Sequence, residues 1–348
     1  MNGNNDKCKL RDFCFAADEN YTMPLRVCVA SLLWSMRPSV KNVSIHVLDI
    51  GISDAKWEET VLFWRSLVSR INGSESKDVE FVRHEISREK FEGFMLWHGS
   101  VATYARLLLP DILPETEWCM YSDCDVLFIS SPLELESYCD NGNVCVWGHK
   151  NPPAADAVDS AWFKSRGLEF NSNSYVCGGL LLMNLRRLEK IGFTRKAMEF
   201  LCQHKVTASA DQCAINHICA GDVRLLPREW GVFNEEITTE RGGAIHYADA
   251  VPWRMPVNGT SLLGSNPDIS KLWRRFAIEV CGLDPKMFSF RLKDSIGVRT
   301  RALMIWSYLL VSRTFRFKPW KYANWPGKNI DREAVASYFK LLLGEKPA

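Results

Sequence analysis

The sequence predicts an α/β fold built on a Rossmann-like, mixed but mainly parallel sheet flanked by helices. Three observations predict it. Short, nearly continuous apolar runs such as 12–17 (DFCFAA) and 43–50 (VSIHVLDI) have the length and composition of buried strands. They alternate with longer segments of helical periodicity, the pattern of βαβ units. The chain has 348 residues, 47% hydrophobic and 24% charged, enough for one large domain with an appendage or for two domains. That composition also excludes disordered, collagen-like and coiled-coil classes.

The elements follow in order. Residues 12–17 form a first buried strand and 25–36 a helix. A second strand spans 43–50, and a helix capped by Ser53 or Asp54 spans 54–71. Residues 78–86 contain a third strand. Residues 100–109 are helical and are halted by Pro110. A fourth strand, 117–121, runs directly into Ser122-Asp123-Cys124-Asp125 and a second apolar run, 126–129. Beyond residue 130 the pattern mixes: strands at 143–147 and 175–185, helices at 186–204 and 211–220, and a short strand at 244–247 after a Gly-Gly pair. Residues 256–268 are rich in turn formers and suggest a boundary. The expected organisation is a catalytic domain over 10–262 and a helical, basic-aromatic region over 263–348. In such sheets ligands bind beyond the carboxyl ends of the strands, so the loops after the first and fourth strands are the places to look.

The net charge is +2, which leaves no strongly basic whole-chain field for nucleic acid. That average conceals an asymmetry. Residues 291–330 hold nine Lys/Arg against the single acid Asp294, a local +8, so the rest of the chain sums to −6. Of the twelve cysteines, no pair has Cys-x-x-Cys spacing, which excludes a zinc knuckle or a thioredoxin-like motif. Several sit in apolar runs and read as small hydrophobes (Cys14, Cys28, Cys145). The first ten residues carry no apolar leader, so a cytoplasmic chain with reduced thiols is expected. The longest apolar run near the C-terminus, 302–311, is about half of a membrane span.

Five groups of residues could carry chemistry. Asp123 and Asp125 place two carboxylates at a strand end. In extended chain residues i and i+2 point the same way, so both reach one cation, and hard oxygens suit Mg²⁺ or Mn²⁺ with a diphosphate. With 19 Asp in the chain, about one such triplet arises by chance, and a solvated acidic turn is the plainer alternative. His246 ends a short strand. It is either a satisfied edge histidine or a nitrogen ligand that would tilt the site toward Mn²⁺. Asp18 and Asn20, after the first strand, suit hydrogen bonds to a base or ribose, or Asp18 simply caps a helix. Asp211 and Gln212 open a helix and also admit a capping role. Cys177-Gly178-Gly179 would let backbone approach a ligand, or marks a strand bulge.

Taken in this order, these stretches resemble glycosyltransferase family 8. The matching segments are Phe15–Tyr21 (FAADENY), Tyr104–Pro110 (YARLLLP), Tyr121–Val126 (YSDCDV), Gly179–Leu185 (GLLLMNL), Asp211-Gln212, and His246-Tyr247 with Pro252-Trp253. The likeness runs over residues 10–255, about 70% of the chain. It implies a GT-A fold and a retaining galactosyl- or glucosyltransferase of lipopolysaccharide or capsule assembly, using a UDP-sugar and a divalent metal, Mn²⁺ or Mg²⁺. By the same resemblance Ala16, Asp18 and Asn20 match uridine-binding positions, and Arg106 matches a contact to donor sugar or phosphate. Asp123, Asp125 and His246 match the metal ligands, with Asp123 also near the ribose. Cys177, Gly178 and Gly179 lie beside the donor sugar. Asp211 matches a sugar-hydroxyl binder and Gln212 the side chain on the β-face of the anomeric carbon. Because an amide is a poor nucleophile, retention with Gln212 there favours front-face attack.

Two departures stand out. The family usually has Asn where this chain has Cys177. It also usually reads His-x-x-Gly-x-x-Lys-Pro-Trp after the third ligand, whereas His246–Trp253 is one residue shorter with Val251 in the Lys place. Arg254, two residues beyond Pro252, could substitute for that Lys. The expected partners are a UDP-sugar, a saccharide acceptor that is lipid-linked, and the inner face of the cell membrane, held by the 291–330 segment, whose cations are interspersed with Trp306, Tyr308, Phe315, Phe317, Trp320, Tyr322 and Trp325. No nucleic-acid partner is expected. The alternatives are a self-glucosylating, glycogenin-like protein and a non-catalytic nucleotide-sugar binding module.

Overall fold

The structure is a computed structural model that describes residues 10–73, 78–139, 142–233, 242–248, 251–253, 267–288 and 332–344. Strands β1 (Asp12–Ala17), β2 (Val43–Asp49) and β3 (Val79–Glu85) are separated by α1 (Thr22–Ser35) and α2 (Asp54–Asn72). A 3₁₀ helix (Ala102–Leu108) and the short α3 (Leu109–Ile112) lead to β4 (Trp118–Ser122), a tight turn, and β5 (Val126–Phe128). There follow β6 (Val146–Lys150), α4 (Pro153–Lys164), β7 (Val176–Asn184), α5 (Leu185–Lys190), α6 (Phe193–Gln203), α7 (Ala210–Ile218), β8 (Val223–Leu225), β9 (Trp230–Phe233) and β10 (Ala244–His246). Helices α8 (Pro267–Glu279) and α9 (Arg332–Leu343) complete the described α-helices.

The main sheet has seven strands in the order β3-β2-β1-β4-β7-β6-β8. It is mixed and mainly parallel. β3, β2, β1 and β4 run parallel, β7 is antiparallel to both β4 and β6, and β8 is parallel to β6. A second sheet, β5-β10-β9, stands beside it.

The central strands β1, β4 and β7 read as nearly unbroken apolar runs because the sheet is covered on both faces there. The period of two then deals each strand's side chains to opposite cores. Phe13, Phe15 and Ala17 of β1, Met120 of β4, and Leu180 and Leu182 of β7 enter one core with α1, α2 and α8. Cys14 and Ala16, Cys119 and Tyr121, and Leu181 and Met183 enter the other, with the 102–108 helix and α5 to α7. Eleven cysteines are described, none of them in a disulfide with another and all but Cys202 buried.

Four expectations change. Pro110 does not halt the helix before it. That segment is 3₁₀, and Pro110 sits in the first turn of α3, where its missing N–H costs nothing. The helix expected over 186–204 breaks in two at Gly192, whose φ of 65° lies in the left-handed region. The strand expected at 143–147 lies instead at 146–150, so that it carries His149. Helix α4, unanticipated after Pro152-Pro153, uses Pro153 as an N-terminal residue.

Past residue 262, α8 contributes Leu272, Trp273 and Phe276 to the first core. Its Ile269 carbonyl accepts from the Tyr247 hydroxyl at 2.8 Å. The Leu342 carbonyl of α9 accepts from Trp34 Nε1 at 3.0 Å. The basic segment 291–330 and Arg254 lie outside the described residues. No helix of the described residues is long and apolar enough to cross a membrane.

Trp273 is fully buried. Trp273→Ala is expected to cost about 3–5 kcal/mol, measured by urea unfolding of the whole chain. A loss below about 1 kcal/mol would mean that α8 lies outside the cooperative core.

Candidate active site

Strand register brings the predicted residues together. β4 pairs antiparallel with β7, with Ser122 opposite Leu180. The carboxyl end of β4 therefore meets the amino end of β7, and Asp123 N–H donates to the Gly179 carbonyl at 2.8 Å. β5 pairs antiparallel with β10, with Val126 opposite His246. The Tyr247 N–H donates to the Asp125 carbonyl at 2.8 Å. Two ladders thus bring the Asp-x-Asp segment against Cys177–Gly179 on one side and His246 on the other.

Asp123 and Asp125 do converge, but not by extended-chain alternation. Residues 123–125 form a turn between β4 and β5, closed by Val126 N–H to the Asp123 carbonyl at 3.3 Å. One ligand atom each from Asp123, Asp125 and His246 lie within 4.8 Å of one another. Asp125 Oδ1 is buried, accepts no hydrogen bond, and stands 3.4 Å from His246 Nε2. Burial disfavours charge on both, yet each partner outweighs it: Asp125 raises the His246 pKa well above its usual value, and His246 lowers that of Asp125. Two oxygens, one nitrogen and an orphaned buried carboxylate atom fit a divalent cation. Gly179 makes the approach possible, because a Cβ there would lie 2.1 Å from His246 Cε1.

Arg106 is 2% exposed and holds the site from behind. Its Nη2 donates to Asp123 Oδ1 at 2.7 Å and to Thr103 Oγ1 at 2.8 Å. Its Nε lies 3.0 Å from Asp211 Oδ2, its Nη1 donates to the Gly178 carbonyl, and its guanidinium stacks 4.2 Å over the Tyr121 ring. Burial opposes the charge, but Asp123 and Asp211 more than offset it, so the guanidinium's pKa is raised. Burial also pushes the Asp211 carboxyl up, against Arg106, to about 6.

Gln212 is fixed at both ends of its amide. Oε1 accepts from Gly178 N–H at 2.9 Å, and Nε2 donates to Asp159 Oδ2 at 3.1 Å. Asp159, fully buried, also accepts from Ser209 Oγ at 2.6 Å and Asn151 Nδ2 at 3.1 Å. Ala210, a non-glycine residue at φ 46°, sets the strained entry to α7 that presents Asp211 and Gln212.

Asp18 takes the capping role and also lines the cavity. It caps the turn 19–21 by accepting from Asn20 N–H at 2.9 Å, accepts from Ser100 Oγ at 2.7 Å, and faces the cavity. Asn20 offers Asp18 its backbone and does not line the cavity.

Cys177 Sγ lies 3.9 Å from His246 Nδ1. Burial works against its thiolate, but His149 and then His246 outweigh it and lower the thiol to about 6.

Ala16, Asp18, Arg106, Asp123, Asp125, Cys177, Gly178, Gly179, Asp211, Gln212 and His246 all line one cavity of about 450 Å³. Sequence reasoning missed Thr103, Asn151, Asp159, His149 and Phe233. Of these only His149 left a trace, as a histidine after Gly148 in an apolar run. Val251, in the family's Lys place, is half-buried.

Arg106→Met would strand two carboxylates around an apolar side chain, and a loss of about 3–5 kcal/mol is expected in urea unfolding. A loss under about 1 kcal/mol would show that the carboxylates are solvated without it.

The model for glycosyl transferase family 8 matches residues 13–248. A Haemophilus influenzae protein assigned as a glycosyltransferase is 26% identical over 215 residues, 61% of this chain. The chain spans about 60% of that relative's length. Among solved structures, the galactosyltransferase LgtC, in complex with donor and acceptor sugar analogs, is similar with TM-score 0.61 at 22% identity, covering 79% of this chain and 98% of LgtC. The bifunctional glycosyltransferase WbbM is similar with TM-score 0.60 at 17% identity, covering 86% of this chain and 53% of WbbM. These likenesses place the fold among the GT-A glycosyltransferases. With a family model over two thirds of its length, the chain belongs to glycosyl transferase family 8.

Proposed function

We propose that this glycosyltransferase is metal-dependent and retaining, and that it moves galactose or glucose from a UDP-sugar to a saccharide acceptor in cell-surface polysaccharide synthesis. The observation that carries the reading is the convergence of Asp123, Asp125 and His246 in the same cavity that Asp211 and Gln212 line. The likeness to LgtC, a galactosyltransferase, supports a hexose donor.

Asp123, Asp125 and His246 would hold a divalent cation, Mn²⁺ or Mg²⁺, which would supply Lewis-acid stabilisation of charge on a departing diphosphate. The chain's own residues do the rest. Arg106 holds Asp123 in place and neutralises it from the protein side, so that the carboxylate pair tolerates burial. Asp211, already engaged by Thr103 and Arg106, accepts hydrogen bonds from sugar hydroxyls. Gln212 presents its amide, clamped between Gly178 and Asp159, as a fixed dipole toward the anomeric centre. Because the amide of Gln212, a poor nucleophile, takes that position, the acceptor hydroxyl attacks on the face from which UDP leaves. The new glycosidic bond forms as the sugar–phosphate bond breaks, and the hydroxyl proton passes to the departing phosphate oxygen.

A UDP-sugar hydrolysis panel with Mn²⁺ or Mg²⁺ tests this. One hexose donor is expected to be turned over, and Asp125→Ala is expected to lower the rate by roughly 10²–10³ or more. Full activity in that variant would remove the metal from the reaction.

We further propose a lipid-linked acceptor and a peripheral location on the inner face of the membrane, supported by the +8 charge of residues 291–330. Co-sedimentation with anionic liposomes that weakens with salt and is lost on truncation after residue 290 is expected. No binding at low salt would end this part of the proposal.

A further inference from the structure

His246 belongs to two donor sets. Its Nε2 faces Asp125 Oδ1 at 3.4 Å. Its Nδ1 faces Cys177 Sγ at 3.9 Å, and beyond the thiol stands His149. One ligand atom each from His149, Cys177 and His246 lie within 4.8 Å of one another. The three residues are 2%, 8% and 4% exposed. The rings of His149 and His246 meet edge to face with centroids 5.2 Å apart, and Phe233 closes against both.

Two independent observations point to a ligand here. His149 Nε2 is buried and makes no hydrogen bond of regular geometry, although a buried imidazole nitrogen is normally paired. The backbone is also cut away around both rings. A Cβ at Gly231 (φ 125°) would lie 2.2 Å from His149 Cγ, and one at Gly179 would lie 2.1 Å from His246 Cε1. Two imidazoles and a thiol are thus pressed together, with the cavity open beside Cys177 and His246.

We propose that His149, Cys177 and His246 form a second, soft-metal site of the Zn²⁺ class, and that it cannot be filled while His246 serves the Asp123–Asp125 site. Nitrogen, nitrogen and thiolate select a softer ion than the oxygen-rich set beside them. Three protein ligands with one side open suit four-coordinate Zn²⁺ completed by water. Bonds of about 2.0–2.3 Å put tetrahedral ligand atoms about 3.3–3.7 Å apart, so closure requires side-chain shifts on the order of 1 Å. The thiol proton leaves to solvent as the sulfur binds.

Exclusion follows from the imidazole. Neutral histidine has one lone pair, on one nitrogen, and a proton on the other. With Nε2 on the hard-cation site, Nδ1 carries the proton and points it at Cys177. With Nδ1 on the soft site, Nε2 carries the proton and donates it to Asp125. Zn²⁺ then inhibits by taking away a ligand, without occupying the donor's place. The exclusion half rests on the hard-cation reading above; the binding half does not.

Co²⁺ titrated into the whole chain, under a non-thiol reductant, tests binding through the thiolate-to-metal absorption in the near ultraviolet. One equivalent is expected to saturate that band, and one equivalent of Zn²⁺ to abolish it. Cys177→Ser is expected to remove it, His149→Gln to weaken Co²⁺ binding roughly tenfold or more, and Asp125→Asn to leave it in place. Circular dichroism checks that each variant is folded. No band in the unaltered chain, which needs no variant, would overturn the site, as would a band that survives in Cys177→Ser. For exclusion, Mn²⁺ is bound together with UDP and followed by electron paramagnetic resonance. Zn²⁺ at one equivalent is expected to release free Mn²⁺. Mn²⁺ that stays bound while the soft site fills would overturn exclusion. A cobalt band in a chain that binds no Mn²⁺ would support the soft-metal site and overturn the hard-cation assignment instead.

Discussion

The buried cation Arg106 is the constraint on which the site depends. A carboxylate pair cannot be carried into a cavity lined by apolar strands without an opposite charge, because the desolvation of each ion runs to several kcal/mol. Arg106 meets that need for Asp123 and Asp211 at once, at 2.7 and 3.0 Å. Its reach also fixes topology. The residue comes from the 3₁₀ segment before β4, Asp123 from the end of β4, Asp211 from the start of α7, and Gly178, whose carbonyl it binds, from β7. Four separate stretches of chain are brought into register by one planar group with donors in a fixed fork. A lysine, with a single charged tip, could not span them.

The second constraint is steric. Three of the glycines stand where imidazoles or a guanidinium pass too close for a Cβ to fit easily. Gly179 and Gly231 make room for His246 and His149, while a Cβ at Gly178 would lie 3.0 Å from Arg106 Nη1. The antiparallel β7 carries two of these glycines into the gap beyond β4. A parallel strand there would have brought its carboxyl end to the same place, with side chains in the way. The single reversal in an otherwise parallel half-sheet is therefore part of how the cavity is made.

Much of this was legible in the sequence, and the reasons for the rest are physical. The central strands were readable because a sheet covered on both faces favours apolar side chains at successive positions, and Asp12–Ala17 and Val176–Asn184 follow that apart from Asp12 and Asn184. Asp123, Asp125 and His246 stood out as polar residues at the ends of such runs. The turn at 123–125 was misread as extended chain, since alternation and a tight turn both bring i and i+2 to one side. Asp159 was invisible. It lies on α4, a helix with a mixed surface opening on two prolines, and its importance arises only from Gln212, Ser209 and Asn151 meeting it across the fold. His149 depended on a strand boundary three residues further along, set by the ladder with β7 and its register shift between Gly148 and Lys150. Such shifts depend on cross-strand packing that no local window contains.

Cys177 shows how the two constraints combine. The sequence marks it only as a departure from the family's usual Asn at this place. In the fold its sulfur is set between two buried histidines, one of which also faces Asp125. An amide in that position could donate to a sugar or accept from an imidazole, but it would hold no soft ion. A thiol reverses those abilities: it is a weak hydrogen-bond partner for a sugar and a strong metal ligand once ionised. The substitution thus moves the chemistry of the cavity wall from the donor toward His246. Whatever binds His246 at Nδ1 decides which tautomer it offers at Nε2. The residue at position 177 thus meets Nδ1 of the same ring whose Nε2 faces Asp125, although its own sulfur is not one of the atoms that converge with Asp123 and Asp125.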